Sequence, residues 1–64
     1  MVKVNGKELD ISGMTVKALL EQQGYDCTRV AVELGEEIVP KAQYADTVLQ
    51  DGDAVEVVSF VGGG

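Results

Sequence analysis

Only one stretch of this sequence carries helical periodicity, and strand-like alternation fills the segments on either side of it. A single helix covers one face of one sheet, so the chain must fold as a small sheet with one helix laid across it. Val16, Leu19, Leu20 and Gln23 fall at i, i+3, i+4 and i+7, and three of the four are apolar. Thr15 is suited to cap the first turn through its hydroxyl. Met14 and Leu19 have the spacing of a hydrophobic staple. Gly24 supplies the left-handed residue that ends such a helix. The pattern predicts a helix over 16–23.

Before it, Val2 and Val4 alternate with Lys3, and Leu9 and Ile11 alternate with Glu8 and Asp10. Asn5-Gly6 lies between, the pair favoured in a type I′ turn because both central residues need positive φ. Residues 1–11 therefore read as a hairpin. After the helix, Val30, Val32 and Leu34 share one face of a strand over 29–34, with Arg29, Ala31 and Glu33 on the other. Gly35-Glu36 turns the chain into a short strand at Ile38-Val39, ended by Pro40, which has no N–H to donate. Residues 41–50 are irregular, with one 3₁₀ turn expected around 45–49. Asp51-Gly52-Asp53 is a turn by composition. The last strand, 54–61, places Val55 and Val57 on one face and Glu56, Val58 and Phe60 on the other. A helix between an N-terminal hairpin and the later strands lets the first and last strands lie side by side in parallel. That is an α+β, ubiquitin-like β-grasp: a mixed five-stranded sheet whose fourth strand is short, formed by a single domain over residues 1–64.

With 64 residues there is room for one thin core and none for an enclosed cavity. Five Lys and Arg against eleven Asp and Glu leave a net charge of −6. That balance argues against nucleic acid and against anionic membranes as partners. No apolar run approaches the roughly 20 residues that span a bilayer. Met1 to Gly6 lacks a secretory pattern, so the expected location is cytoplasmic. There is no histidine, which removes Ser–His and Cys–His catalysis and the commonest metal ligand. The one cysteine, Cys27, forms no internal disulfide and holds no zinc or iron–sulfur site by itself; it reads as a half-buried thiol. Glu36, Glu37, Asp51 and Asp53 lack both the cleft of a glycosidase pair and the ligand spacing of a calcium loop, and read as solvated turn residues. The chain is expected to bind no metal and no cofactor of its own.

The C-terminus is different. Three of the eight glycines are the last three residues, Gly62-Gly63-Gly64. At an average usage of about 7%, chance places three there roughly once in three thousand chains. Residues without a Cβ can thread a narrow channel and adopt backbone angles closed to others. At the end of such a tail stands the α-carboxylate of Gly64. A frayed glycine tail is the plain alternative, but the glycines follow directly on an apolar strand with no polar spacer. Val58, Phe60 and Val61, beside the tail, form a candidate partner-binding patch on the sheet face left open by the helix.

The sequence resembles the ThiS family, the sulfur carrier proteins of thiamin biosynthesis. The resemblance covers nearly the whole chain. It runs through Val4-Asn5-Gly6, Thr15-Val16 to Leu20, Val30-Ala31-Val32-Glu33, Ile38-Val39-Pro40, Leu49, Gly52-Asp53, Val55-Glu56-Val57 and Phe60-Val61-Gly62-Gly63-Gly64. One departure is Gly35-Glu36, where the family usually has Asn-Gly, which touches the turn geometry and leaves the tail intact. The resemblance implies a protein cosubstrate rather than an enzyme. An E1-like, ThiF-like adenylyltransferase would use ATP and Mg²⁺ to adenylate Gly64. Gly62 and Gly63 would thread its active site. A cysteine desulfurase relay would convert the adenylate to a thiocarboxylate, for delivery to a ThiG-like thiazole synthase. A carrier for molybdopterin or another thiocarboxylate-dependent pathway, or a ubiquitin-like modifier or interaction module, are the alternative readings.

Overall fold

A computed structural model describes residues 1–60 of the chain. The order is β1 (Val2–Val4), β2 (Lys7–Leu9), α1 (Val16–Gln22), a 3₁₀ turn at Cys27–Arg29, β3 (Val30–Leu34), β4 (Glu37–Val39), a 3₁₀ turn at Lys41–Gln43 and β5 (Ala54–Ser59). The strands stand in the order β2-β1-β5-β3-β4. β1 and β5 run parallel, with Lys3 beside Ala54 and Val4 beside Val55. The other neighbours are antiparallel. The last strand therefore occupies the middle of the sheet, as a β-grasp requires.

Local chemistry explains the elements. Asn5 and Gly6 have φ of 50° and 83°, the left-handed pair of a type I′ turn. The Thr15 hydroxyl accepts from the Ala18 N–H at 3.1 Å and caps α1. Gly24, at φ 80°, ends it. Gly35-Glu36 bridges the paired Leu34 and Glu37 as a two-residue turn, with positive φ at the glycine. The strand alternation then sets the core. Val2, Val4, Val30, Val32, Val39, Val55 and Val57 point to one side and pack with Val16, Leu19 and Leu20 of α1. Gln23, the polar member of the helical stripe, is exposed. No polar or charged residue is buried among the described residues.

The irregular stretch differs from expectation. The 3₁₀ turns sit at 27–29 and 41–43, not at 45–49. Asp26 starts the first by accepting from the Thr28 N–H at 2.9 Å. Pro40, at φ −62°, is preset to start the second. Residues 47–49 are instead extended, with Val48 bridged to Thr15. The Leu49 N–H donates to Met14 at 2.8 Å, and the Val16 N–H donates to Thr47 at 2.9 Å. This strap buries Leu49 completely, and Tyr44 beside it is also in the core. The strands are shorter than predicted. Ile11 is buried but lies past β2, Arg29 belongs to a 3₁₀ turn, and β5 ends at Ser59. Val61, the expected last residue of that strand, lies outside the described residues.

Candidate functional site

The working end of the molecule is where β5 leaves the sheet. Being central, β5 is held on both sides: by β1 over Ala54 and Val55, and by β3 over Val55 to Ser59. The Phe60 N–H then donates to the Arg29 carbonyl at 2.7 Å, so one more residue is pinned past the strand. The turn that receives it is built by Asp26. Its carboxylate accepts from the Thr28 hydroxyl at 2.7 Å and from the Thr28 N–H, and lies 3.7 Å from Arg29 Nε. These Thr28 bonds, with Arg29 and Lys41 nearby, lower the Asp26 pKa below the usual carboxylate value. Lys41 Nζ donates to the Thr28 carbonyl at 2.9 Å and ties in the second turn.

β1 stops at Val4 while β5 continues, which would leave Val57 without a partner on that side. The Asn5 side chain fills the place. Its Oδ1 accepts from the Val57 N–H at 2.8 Å and its Nδ2 donates to the Val57 carbonyl at 3.2 Å. A side-chain amide offers the same donor and acceptor as a peptide group, so it extends the ladder by one rung. Sequence reasoning read Asn5 only as a turn former. Nothing in the sequence pairs it with Val57, 52 positions away.

The structure brings two of the predicted patch residues together. Val58 and Phe60 are 55% and 59% exposed, large apolar side chains beside the exit. Val58 stands opposite Ala31 on the face turned away from α1. Ile38, 69% exposed, joins that face through its register with Glu33 and was not anticipated. Val61, Gly62, Gly63 and Gly64 lie outside the described residues. Cys27 is half-buried and packs against the core on the helix side, apart from this face. It lines a groove with Lys17, Thr28, Lys41, Ala42, Tyr44 and Ala45. Burial, and then the neighbouring Cys27, push the Tyr44 hydroxyl pKa upward. Of the acidic residues, Asp51 pairs with the N-terminal ammonium, and Asp53 accepts from the Gln50 N–H at 2.8 Å; both are turn residues. Among the described residues no three potential metal ligands group together, and no helix is long and apolar enough to cross a membrane.

A mixed sheet crossed by one helix, with its last strand central and an apolar face beside that strand's end, defines a ubiquitin-like β-grasp protein. The ThiS family model matches residues 2–64, and the chain belongs to that family. A sulfur carrier protein ThiS of Thermus thermophilus is 42% identical over 64 residues, covering all of both chains. A thiazole synthase of Paramagnetospirillum magneticum is 52% identical over 62 residues, which is 95% of this chain but 19% of that protein. The crystal structure of a thiamine biosynthesis protein (ThiS) from Geobacter metallireducens superposes with a TM-score of 0.79 at 36% identity, covering 98% of this chain and 97% of the other. The chain is thus a small ubiquitin-like carrier and not an enzyme.

Proposed function

We propose that the chain donates sulfur for thiazole assembly in thiamin biosynthesis, holding it as a thiocarboxylate on Gly64. The observation that carries this reading is the family match, which extends to the last residue and so includes Gly62-Gly63-Gly64. A carboxylate does not exchange oxygen for sulfur unaided, because oxide is a poor leaving group. An E1-like adenylyltransferase therefore joins AMP from Mg²⁺-bound ATP to the Gly64 carboxylate and releases pyrophosphate. A persulfide from a cysteine desulfurase relay attacks the acyl carbon, and AMP departs. A thiol cleaves the resulting acyl disulfide and leaves the thiocarboxylate. ATP, Mg²⁺ and the catalytic side chains belong to the partners, all in the cytosol.

Gly62 and Gly63 keep the tail thin enough to enter a narrow channel. Val58, Phe60 and Val61 dock the body of the carrier against the partner. A thiazole synthase as the recipient is supported by the relative that bears that name, in which a segment like this chain shares one polypeptide with the rest of the synthase. The test is intact-mass measurement after incubation with the activating enzyme, ATP and a sulfur source. The expected result is exchange of one oxygen for one sulfur on the C-terminal peptide, abolished by deleting Gly64. No mass change in the wild-type chain, or sulfur retained on Cys27 after Gly64 is deleted, refutes the proposal.

A further inference from the structure

Glu33 and Glu56 stand directly opposite each other across β3 and β5. Both are exposed, on the sheet face turned away from α1. Side chains so opposed have Cβ atoms about 5 Å apart, and like charges there repel. Neither carboxylate has an ion-pair partner among the described residues. Lys3, a basic residue on this face, is in register with Glu8 and Ala54 instead. Apolar groups surround the pair. Ala31 and Val58 form the next rung toward the exit of β5, Phe60 lies beyond, and Ile38 stands beside Glu33.

We propose that this face docks the thiazole synthase through a basic side chain that the synthase inserts between Glu33 and Glu56, flanked by apolar side chains covering Val58, Phe60 and Ile38. The inference rests on the carrier reading above and adds the chemistry of the contact. An arginine fits best, because its planar fork presents several donors to two carboxylates at once. The acidic pair disfavours other occupants. A second copy of this chain, face to face, would bring four carboxylates together. Nucleic acid or an anionic membrane would set phosphates against them, on a chain already at −6.

The experiment follows association with the purified cognate thiazole synthase over a series of salt concentrations. The double variant Glu33→Gln with Glu56→Gln is expected to associate about tenfold more slowly than wild type at low salt and to converge with it at high salt. Glu56→Lys is expected to melt at or above the wild-type temperature, since a lysine there pairs with Glu33, while associating more slowly still. Opposite signs in stability and association separate docking from a structural role. Association by the glutamine variant equal to wild type at every salt concentration overturns the proposal and leaves the carrier reading intact, because sulfur exchange on Gly64 is read separately by mass. A wild-type dimer dissociated by Val58→Asp assigns the face to a second copy and also overturns it. A wild-type chain that neither binds the synthase nor, once thiocarboxylated, gives it sulfur overturns both.

Discussion

Replacing Asn5 tests whether a side chain completes the central ladder of the sheet. Asn5→Gly removes both bonds to Val57 while keeping a residue at ease at φ 50°. Each bond contributes about 1 kcal/mol net, so about 2 kcal/mol is lost. Relief of the left-handed backbone and the extra unfolded-state freedom of glycine roughly cancel. Asn5→Ala loses the same bonds and also places a Cβ in the left-handed region, adding about 1–2 kcal/mol. A domain of this size has a total stability of about 3–10 kcal/mol, so either change is a large fraction. Urea unfolding followed by circular dichroism should show the midpoint falling in the order wild type, Asn5→Gly, Asn5→Ala, with an unchanged slope. The Asn5→Gly melting temperature should drop by about 10 °C. Hydrogen exchange at the Val57 amide should speed up in both. If Asn5→Gly is as stable as wild type, the amide rung contributes nothing. If the two variants are equal, the left-handed backbone is not a constraint.

Three further outcomes follow from the same geometry. Leu49→Ala, in the strap that closes over the core, should cost about 2–5 kcal/mol and leave much of the chain unfolded in a thermal melt. Phe60→Ala should change stability by less than about 0.5 kcal/mol, because the ring is 59% exposed, yet weaken partner binding severalfold in calorimetric titration. Burial raises the Tyr44 pKa above its unfolded value near 10.0, so its contribution is intact below that pH and is lost as pH rises through the folded-state value. Tyr44→Phe should flatten that alkaline loss in a pH series of urea midpoints.

The fold was legible where the sequence repeats a simple period. Val2 and Val4, Val30 and Val32, and Val55 and Val57 alternate cleanly, and each pair is buried as the alternation demands. Thr15 and Gly24 bound the helix because capping chemistry is local. The stretch from Lys41 to Gln50 was not legible, since its form is set by contacts with residues 13–16 and by the burial of Tyr44 and Leu49. The apolar face was half legible. Val58 and Phe60 follow from strand parity, but Ile38 joins them only through the register of β3 with β4. The pairing of Asn5 with Val57 and of Glu33 with Glu56 is likewise written in register, which no local pattern encodes.

The central position of β5 also decides how the molecule answers mechanical load. Force applied beyond Phe60 acts along the strand, so it strains the flanking ladders in shear. Five register pairs with β3, two with β1 and the Asn5 amide share the tension together. An edge strand drawn the same way from a free hairpin would open one bond at a time. A partner can therefore grip and draw on the end of this chain while the body stays folded. The load path runs from the tip through β5 into the middle of the sheet.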